Sequence, residues 1–140
     1  MALLPRKSIL AIAAVVDVAL HAHSRPVAAK ALALRHRLPP RHLEPVLQAL
    51  VREGILKGIR GPRGGYELGR EPRRISAAEI VRAAGTVEDT GDAPLTGSPL
   101  LSQVVAPALA QAEQVFSAAL GRISVDDLTR MAESFRDVAE

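Results

Sequence analysis

Apolar residues recur at helical spacing through the first fifty residues, and the period then changes at Gly54. Beyond it, Ile55-Leu56-Lys57-Gly58-Ile59 and Tyr66-Glu67-Leu68 are short β-prone runs on either side of Arg60-Gly61-Pro62-Arg63-Gly64-Gly65. Glycine at the tip between two such runs reads as a hairpin. Helices, one hairpin and then helices again leave few ways to build a core. Hydrophobic residues make up 48% of the chain but aromatics only 2% (Tyr66, Phe116 and Phe135). The core is therefore expected to be Ala, Leu, Val and Ile, which favours helices and argues against an aromatic-rich β-sandwich. At 140 residues there is room for one modest core, with or without an oligomerisation arm.

The spacing predicts a first helix over residues 7–22, with Ile9, Ile12, Ala13, Val16, Ala19 and Leu20 on one face. Arg6 and Lys7 ahead of this apolar run resemble the start of a secretory signal, but Asp17 interrupts it and the helical period argues against that alternative. No apolar stretch approaches the roughly 20 residues of a membrane span, so a cytoplasmic location is expected. Ser24-Arg25-Pro26 breaks the helix, and Pro26 is expected to open a second one over residues 26–35 with Val27, Ala31 and Leu34 inward. Leu38-Pro39-Pro40 makes a turn. A third helix then runs over residues 40–53 with Leu43, Val46, Leu47 and Leu50 inward, bent near Pro45 and ended by Gly54. After the hairpin, Ser76-Ala77-Ala78-Glu79 is a capping box for a short helix to residue 84. Residues 85–99 read as a connection, and residues 98–105 as a turn or two of helix. Pro107 is expected to begin a helix to residue 120, and Ser124-Val125-Asp126-Asp127 to cap a last one to residue 138.

Three helices followed by a hairpin is the order of a winged helix-turn-helix, in which the third helix enters the major groove and the wing reaches the backbone or minor groove. Charge agrees. Residues 1–85 carry 15 Lys and Arg against 6 Asp and Glu, while residues 86–140 carry 3 against 9, so a basic half of +9 precedes an acidic half of −6. On the third helix Arg41, His42, Glu44, Gln48 and Arg52 face outward; Arg suits guanine, Gln adenine, and Glu the cytosine amine. Arg60 and Arg63 lie on a tip whose glycines permit close approach to phosphate, and Lys7 completes the candidate DNA contacts.

Competing chemistries lack their residues. With no cysteine there is no disulfide, thiolate nucleophile or cysteine-held metal. The glycine-rich tip lacks the Gly-Lys-Ser/Thr and the following helix of a nucleotide loop. His21 and His23, two apart, fall on different helix faces, so no joint metal site is expected. Glu88-Asp89 and Asp126-Asp127 have no accompanying base or nucleophile, and no enzyme signature is present. In the helix after Pro107, Ala108, Ala112, Val115 and Ala119 repeat at 4, 3 and 4, extended backward by Leu101 and Val105. This is the spacing of a close helix pair, expected to join two copies; packing on its own winged domain is the alternative.

Leu38-Pro39-Pro40-Arg41-His42-Leu43-Glu44, continuing through Leu47, Leu50, Gly54, Ile55 and Leu56 into Arg60-Gly61-Pro62-Arg63-Gly64-Gly65-Tyr66, resembles the Rrf2 family of bacterial winged-helix transcription regulators. Residues 75–84 and 123–128 extend the resemblance over most of the chain. It implies a homodimeric winged-helix repressor or regulator that binds a palindromic operator. Arg41, His42 and Glu44 would stand where the family reads bases, and Arg60 where its wing arginine enters the minor groove. The family often has Tyr at the position of His42, so the operator is expected to differ. Iron-sulfur members carry three cysteines in the connection corresponding to residues 87–105; none is present, which excludes a cluster of that ligation.

The expected architecture is therefore mainly α with a small β-hairpin: a winged helix-turn-helix domain over residues 1–85, a connection over 86–106 in place of the family's sensor loop, and a helical dimerisation region over 107–140. Double-stranded DNA and a second copy are the expected partners; a constitutive binder, a small-molecule sensor and a regulator controlled by a protein partner all stay open, and no cofactor or membrane is implied. The alternative is an interaction module within a larger regulator that does not itself touch DNA.

Overall fold

The computed structural model describes residues 4–87 and 98–139. In chain order these form α1 (Arg6–His21), α2 (Ala29–Arg35), α3 (Pro40–Arg52), β1 (Leu56–Ile59), β2 (Gly65–Leu68), α4 (Ala77–Ala84), α5 (Ala106–Gly121) and α6 (Val125–Ala139). A single 3-10 turn, Pro72–Arg74, leads from the hairpin to α4. The expected architecture, mainly helical with a small hairpin, is the one observed. Most of the connection expected at residues 85–99 lies outside the described residues.

Alpha1 is the central helix. Its fully buried residues are Ala11, Ala14, Val15 and Val18, with Ser8 and Asp17 beside them, rather than the face expected from Ile9, Ile12, Ala13, Val16, Ala19 and Leu20. Alpha3, α4, α6 and β2 all pack against it. A helix covered on most sides reads as apolar nearly all round, so the sequence pattern does not single out its innermost stripe. The alanines let its neighbours approach closely, and only Ile9 of the expected face is mostly outside, at 47% exposure. Around α1 the core is aliphatic: Leu32, Leu43, Leu47, Leu50, Ile55, Leu56, Ile75, Ile80 and Val125 are each nearly or fully buried.

The second helix departs from expectation. It starts at Ala29, not at Pro26, because Val27 is drawn into an extended bridge with Tyr66: Val27 N–H donates to the Tyr66 carbonyl and Tyr66 N–H to the Val27 carbonyl, each at 2.8 Å. Starting three residues later turns the helix, so Leu32 and Ala33 are buried and Leu34, expected inward, is 71% exposed. Alpha2 ends in a Schellman turn, with Leu38 N–H to the Ala33 carbonyl at 2.9 Å and Arg37 N–H to the Leu34 carbonyl at 3.3 Å. Arg37 takes the left-handed conformation there, with φ of 55°.

Two polar devices set the remaining geometry. At the start of α4, Ser76 Oγ accepts from Glu79 N–H at 3.2 Å, and at the start of α6 the Ser124 hydroxyl and Asp127 carboxylate each accept the other residue's N–H at 3.0 Å. The two starts are also stitched together, Ala77 N–H to the Ile123 carbonyl and Val125 N–H to the Ile75 carbonyl, both at 2.8 Å. The Ser124 backbone N–H, then its hydroxyl, hold the Asp127 carboxyl below the usual carboxylate range.

The second device is Asp17, only 5% exposed and one turn before the end of α1. Arg35 grips its carboxylate with Nε at 2.8 Å and Nη2 at 2.6 Å, and His36 Nε2 lies 2.9 Å away. His21 Nδ1 is 3.2 Å from the same carboxylate and 2.9 Å from the Asp17 carbonyl. Burial alone would raise this carboxyl, but the Arg35 hydrogen bonds and charge, helped by His36 and His21, outweigh it and hold the group below the usual range. A carboxyl depressed in the folded state adds stability that is present above the unfolded value near 4 and is lost as pH falls through the folded value. Asp17→Asn is expected to cost about 2 kcal/mol near neutral pH. In urea titrations from neutrality to about pH 3, the gap between wild type and variant should narrow. A gap that is constant across that range would deny the charge its part.

Candidate nucleic-acid interface

Alpha3 is amphipathic for a simple reason: Leu43, Val46, Leu47, Ala49 and Leu50 lie toward the core, and the polar Arg41, His42, Glu44, Gln48 and Arg52 lie outward. Arg41, Glu44, Gln48 and Arg52 are exposed at spacings of 3, 4 and 4, which aligns them along one outer stripe. Pro45 shares that stripe and is exposed, so the Arg41 carbonyl it leaves without an N–H partner is on the solvent side. The helix continues through Pro45 to Arg52. His42 is also exposed, about 100° around the helix from Arg41.

The wing stands beside this helix. Beta1 and β2 pair antiparallel in the register Leu56 with Leu68, Lys57 with Glu67, Gly58 with Tyr66 and Ile59 with Gly65. Its tip closes in a turn from Gly61 to Gly64, Gly64 N–H donating to the Gly61 carbonyl at 2.9 Å with Pro62 between. Arg60 and Arg63 are both exposed on this tip. The glycines are required by space: a Cβ on Gly64 would fall 2.1 Å from the Ile59 carbonyl oxygen, and one on Gly65 would fall 2.4 Å from that of Val27. The second close approach is the Val27–Tyr66 bridge, which latches β2 of the wing to the segment entering α2.

The structure brings Arg41, His42, Glu44, Gln48, Arg60 and Arg63 to the exposed surface of the α2, α3 and wing unit. Lys7 has another engagement: its ammonium donates to the Val87 carbonyl at 2.8 Å, tying the start of α1 to the segment after α4. Asp17, which the sequence offered only as an interruption in an apolar run, is the residue that fixes the end of α2. A lone acid on an apolar helix, with Arg35-His36 at the end of the next one, is the signal that could have found it.

The dimerisation candidates lie on α5. Ala108, Ala112, Val115 and Ala119 are all exposed, and no residue of α5 is buried in the single chain, although the helix is largely apolar. Val115 is 74% exposed, Leu109 58%, and on α6 Met131 and Phe135 are 67% and 75%. Packing on its own domain, the alternative use of the seam, thus does not cover these four residues. Ahead of α5 lies a π turn, Leu101–Val105, within the stretch 98–105 where a turn or two of helix is expected, and it runs directly into the helix expected from Pro107. Pro107 has no N–H for the Gln103 carbonyl, and the helix widens just there.

A family model described as an iron-dependent transcriptional regulator, Rrf2, matches residues 4–131. The chain belongs to the Rrf2 family. Its relatives include the HTH-type transcriptional regulator IscR of Xenorhabdus nematophila, 37% identical over 90 residues, 64% of this chain and 53% of that protein. The chain thus spans about half the length of such relatives. Among solved structures, IscR of T. potens superposes with a TM-score of 0.73 at 27% identity, covering 95% of this chain and 90% of that one. CymR of B. subtilis shares the fold, with a TM-score of 0.67 at 24% identity over 94% and 98% of the two chains. The family is one of transcription regulators, not of enzymes, and its winged-helix fold is the architecture observed.

The iron in the family's description does not fit these residues. The chain has no thiolate to hold a cluster, and among the described residues no three His, Asp or Glu side chains come together as a metal site. Among the described residues, too, no helix is long and apolar enough to cross a membrane.

The latch gives a test of the interface geometry. Gly65→Ala must push the Val27 carbonyl away and open the bridge, at an expected cost of about 1 to 3 kcal/mol. Gly58→Ala, with nothing within 4 Å of the added methyl, is expected to stay within about 0.5 kcal/mol of wild type. Thermal unfolding of the two variants side by side measures the difference; equal melting points would show that the bridge holds nothing.

Proposed function

We propose that this protein is a sequence-specific, DNA-binding transcription regulator, a repressor acting as a homodimer on a palindromic operator in the cytoplasm. The observation that carries the proposal is the packing of α3 against the wing, which exposes a polar stripe suited to base edges and an arginine-bearing glycine tip suited to phosphate or minor groove. Family membership and the excess of positive charge in residues 1–85 support it. Arg41, Glu44 and Gln48 are assigned to base contacts, His42 to the edge of the stripe, and Arg60 and Arg63 to the wing. Lys7 belongs to this set only if its bond to Val87 is exchanged for a phosphate on binding.

Two copies are needed because one recognition helix covers one half-site. Alpha5 supplies the seam: Ala108, Ala112, Val115 and Ala119 form an exposed row of small apolar residues that a second helix can approach closely. Without cysteines, the signal to which the protein responds is assigned to a small molecule or a protein partner.

Polarisation titrations with a duplex from its own upstream region, at two salt concentrations, test the function. Binding that is absent even at low salt, where phosphate contacts are strongest, would end it. Arg41→Ala is expected to weaken specific binding by about 1 to 3 kcal/mol and relax preference at one base pair, whereas Arg63→Ala weakens all sequences about equally. Unchanged selectivity in Arg41→Ala would make Arg41 a solvated side chain only. Ala112→Glu is expected to give a monomer by light scattering and to lose most operator affinity, since linked half-sites bind far more tightly than separate ones. A variant that stays dimeric would place the contact elsewhere.

A further inference from the structure

The Schellman turn that ends α2 places arginine where glycine is the natural occupant. Arg37 holds φ at 55°, a conformation in which any Cβ crowds its own backbone. Its surroundings enforce this. Arg35 and His36 immediately before it are bonded to Asp17, and the turn's two backbone hydrogen bonds close on either side. The Arg37 side chain, by contrast, is exposed, and among the described residues it takes part in no hydrogen bond or ion pair within the chain.

An arginine that strains the backbone and supplies no internal contact has its use outside the chain. Its place in the fold identifies that use. Arg37 sits in the turn directly ahead of Pro40, at the end of α3 that carries exposed Arg41 and His42. It lies on the connecting turn, off the outer stripe of α3, so it is offered to what borders a groove and not to what lies at its floor. We propose that Arg37 is a phosphate contact, a backbone clamp that sets the register of α3 on the duplex without reading sequence. The proposal rests on the DNA-binding function above and adds to it a contact for which local backbone stability has been sacrificed.

The test compares wild type, Arg37→Gly and Arg37→Lys by thermal unfolding and by polarisation titrations over a salt series. The probes are the upstream duplex and a scrambled duplex of the same length. Glycine removes strain and charge together, so Arg37→Gly is expected to melt no lower than wild type. Its Kd should nevertheless rise about threefold to tenfold on both duplexes, with the salt slope reduced by about one. Arg37→Lys, which restores a cation, is expected to recover most of the slope. An Arg37→Gly protein that binds both duplexes with wild-type Kd and slope would overturn the clamp while leaving the DNA-binding function intact. A loss confined to the upstream duplex would make Arg37 a base reader and overturn the proposal as stated. A melting point well below wild type would overturn its premise of strain. Wild type that binds neither duplex at low salt would remove the function itself, and this role with it.

Discussion

A buried negative charge organises this fold. Asp17 is buried one turn before the end of the central helix, where an unpaired carboxylate would be costly, and Arg35 and His36 come from the end of the next helix to satisfy it. Those bonds have direction, which contacts among Ala, Leu, Val and Ile do not. An aliphatic core tolerates several similar packings, whereas a bidentate guanidinium on a fixed carboxylate accepts one. The end of α2, and therefore the launch of the turn into α3, follows from a polar contact between the first two helices. Alpha3 inherits its direction from a residue that never reaches its surface.

Most of the architecture could be read in the amino-acid order because its local signals agree. Gly54 after Leu50, the Arg-Gly-rich tip between two β-prone runs, and the Ser76 and Ser124 caps each mark a boundary that the structure keeps. The failures have one physical source, long-range pairing. Val27 follows a proline and precedes alanines, a good helix start by local rules, yet it is taken by Tyr66 some forty residues later in the chain. That pairing delays α2 and turns Leu34 outward. Likewise the innermost stripe of α1 is decided by four separate elements closing around it, none of which is visible in its own periodicity.

The candidate site divides along the same line. Exposure of Arg41, Glu44 and Gln48 follows from the helical period of α3, so the sequence suffices to place them. Lys7 could not be assigned that way, because its partner is a backbone carbonyl at Val87. Arg37 was equally hidden: only the φ of the turn distinguishes it from any other surface arginine. Alpha5 lies between these cases. Its small-residue spacing is plain in the sequence, and among the described residues the structure leaves Ala108, Ala112, Val115 and Ala119 exposed.

The scarcity of aromatic residues has a practical side. The chain has no tryptophan and a single tyrosine, and that tyrosine is Tyr66, half-buried on β2 at the bridge to Val27. Ultraviolet emission from the whole protein therefore originates almost entirely at one point, between the wing and the entry to α2. The molecule carries an intrinsic optical reporter at the joint between the wing and the segment entering α2, with no engineered probe.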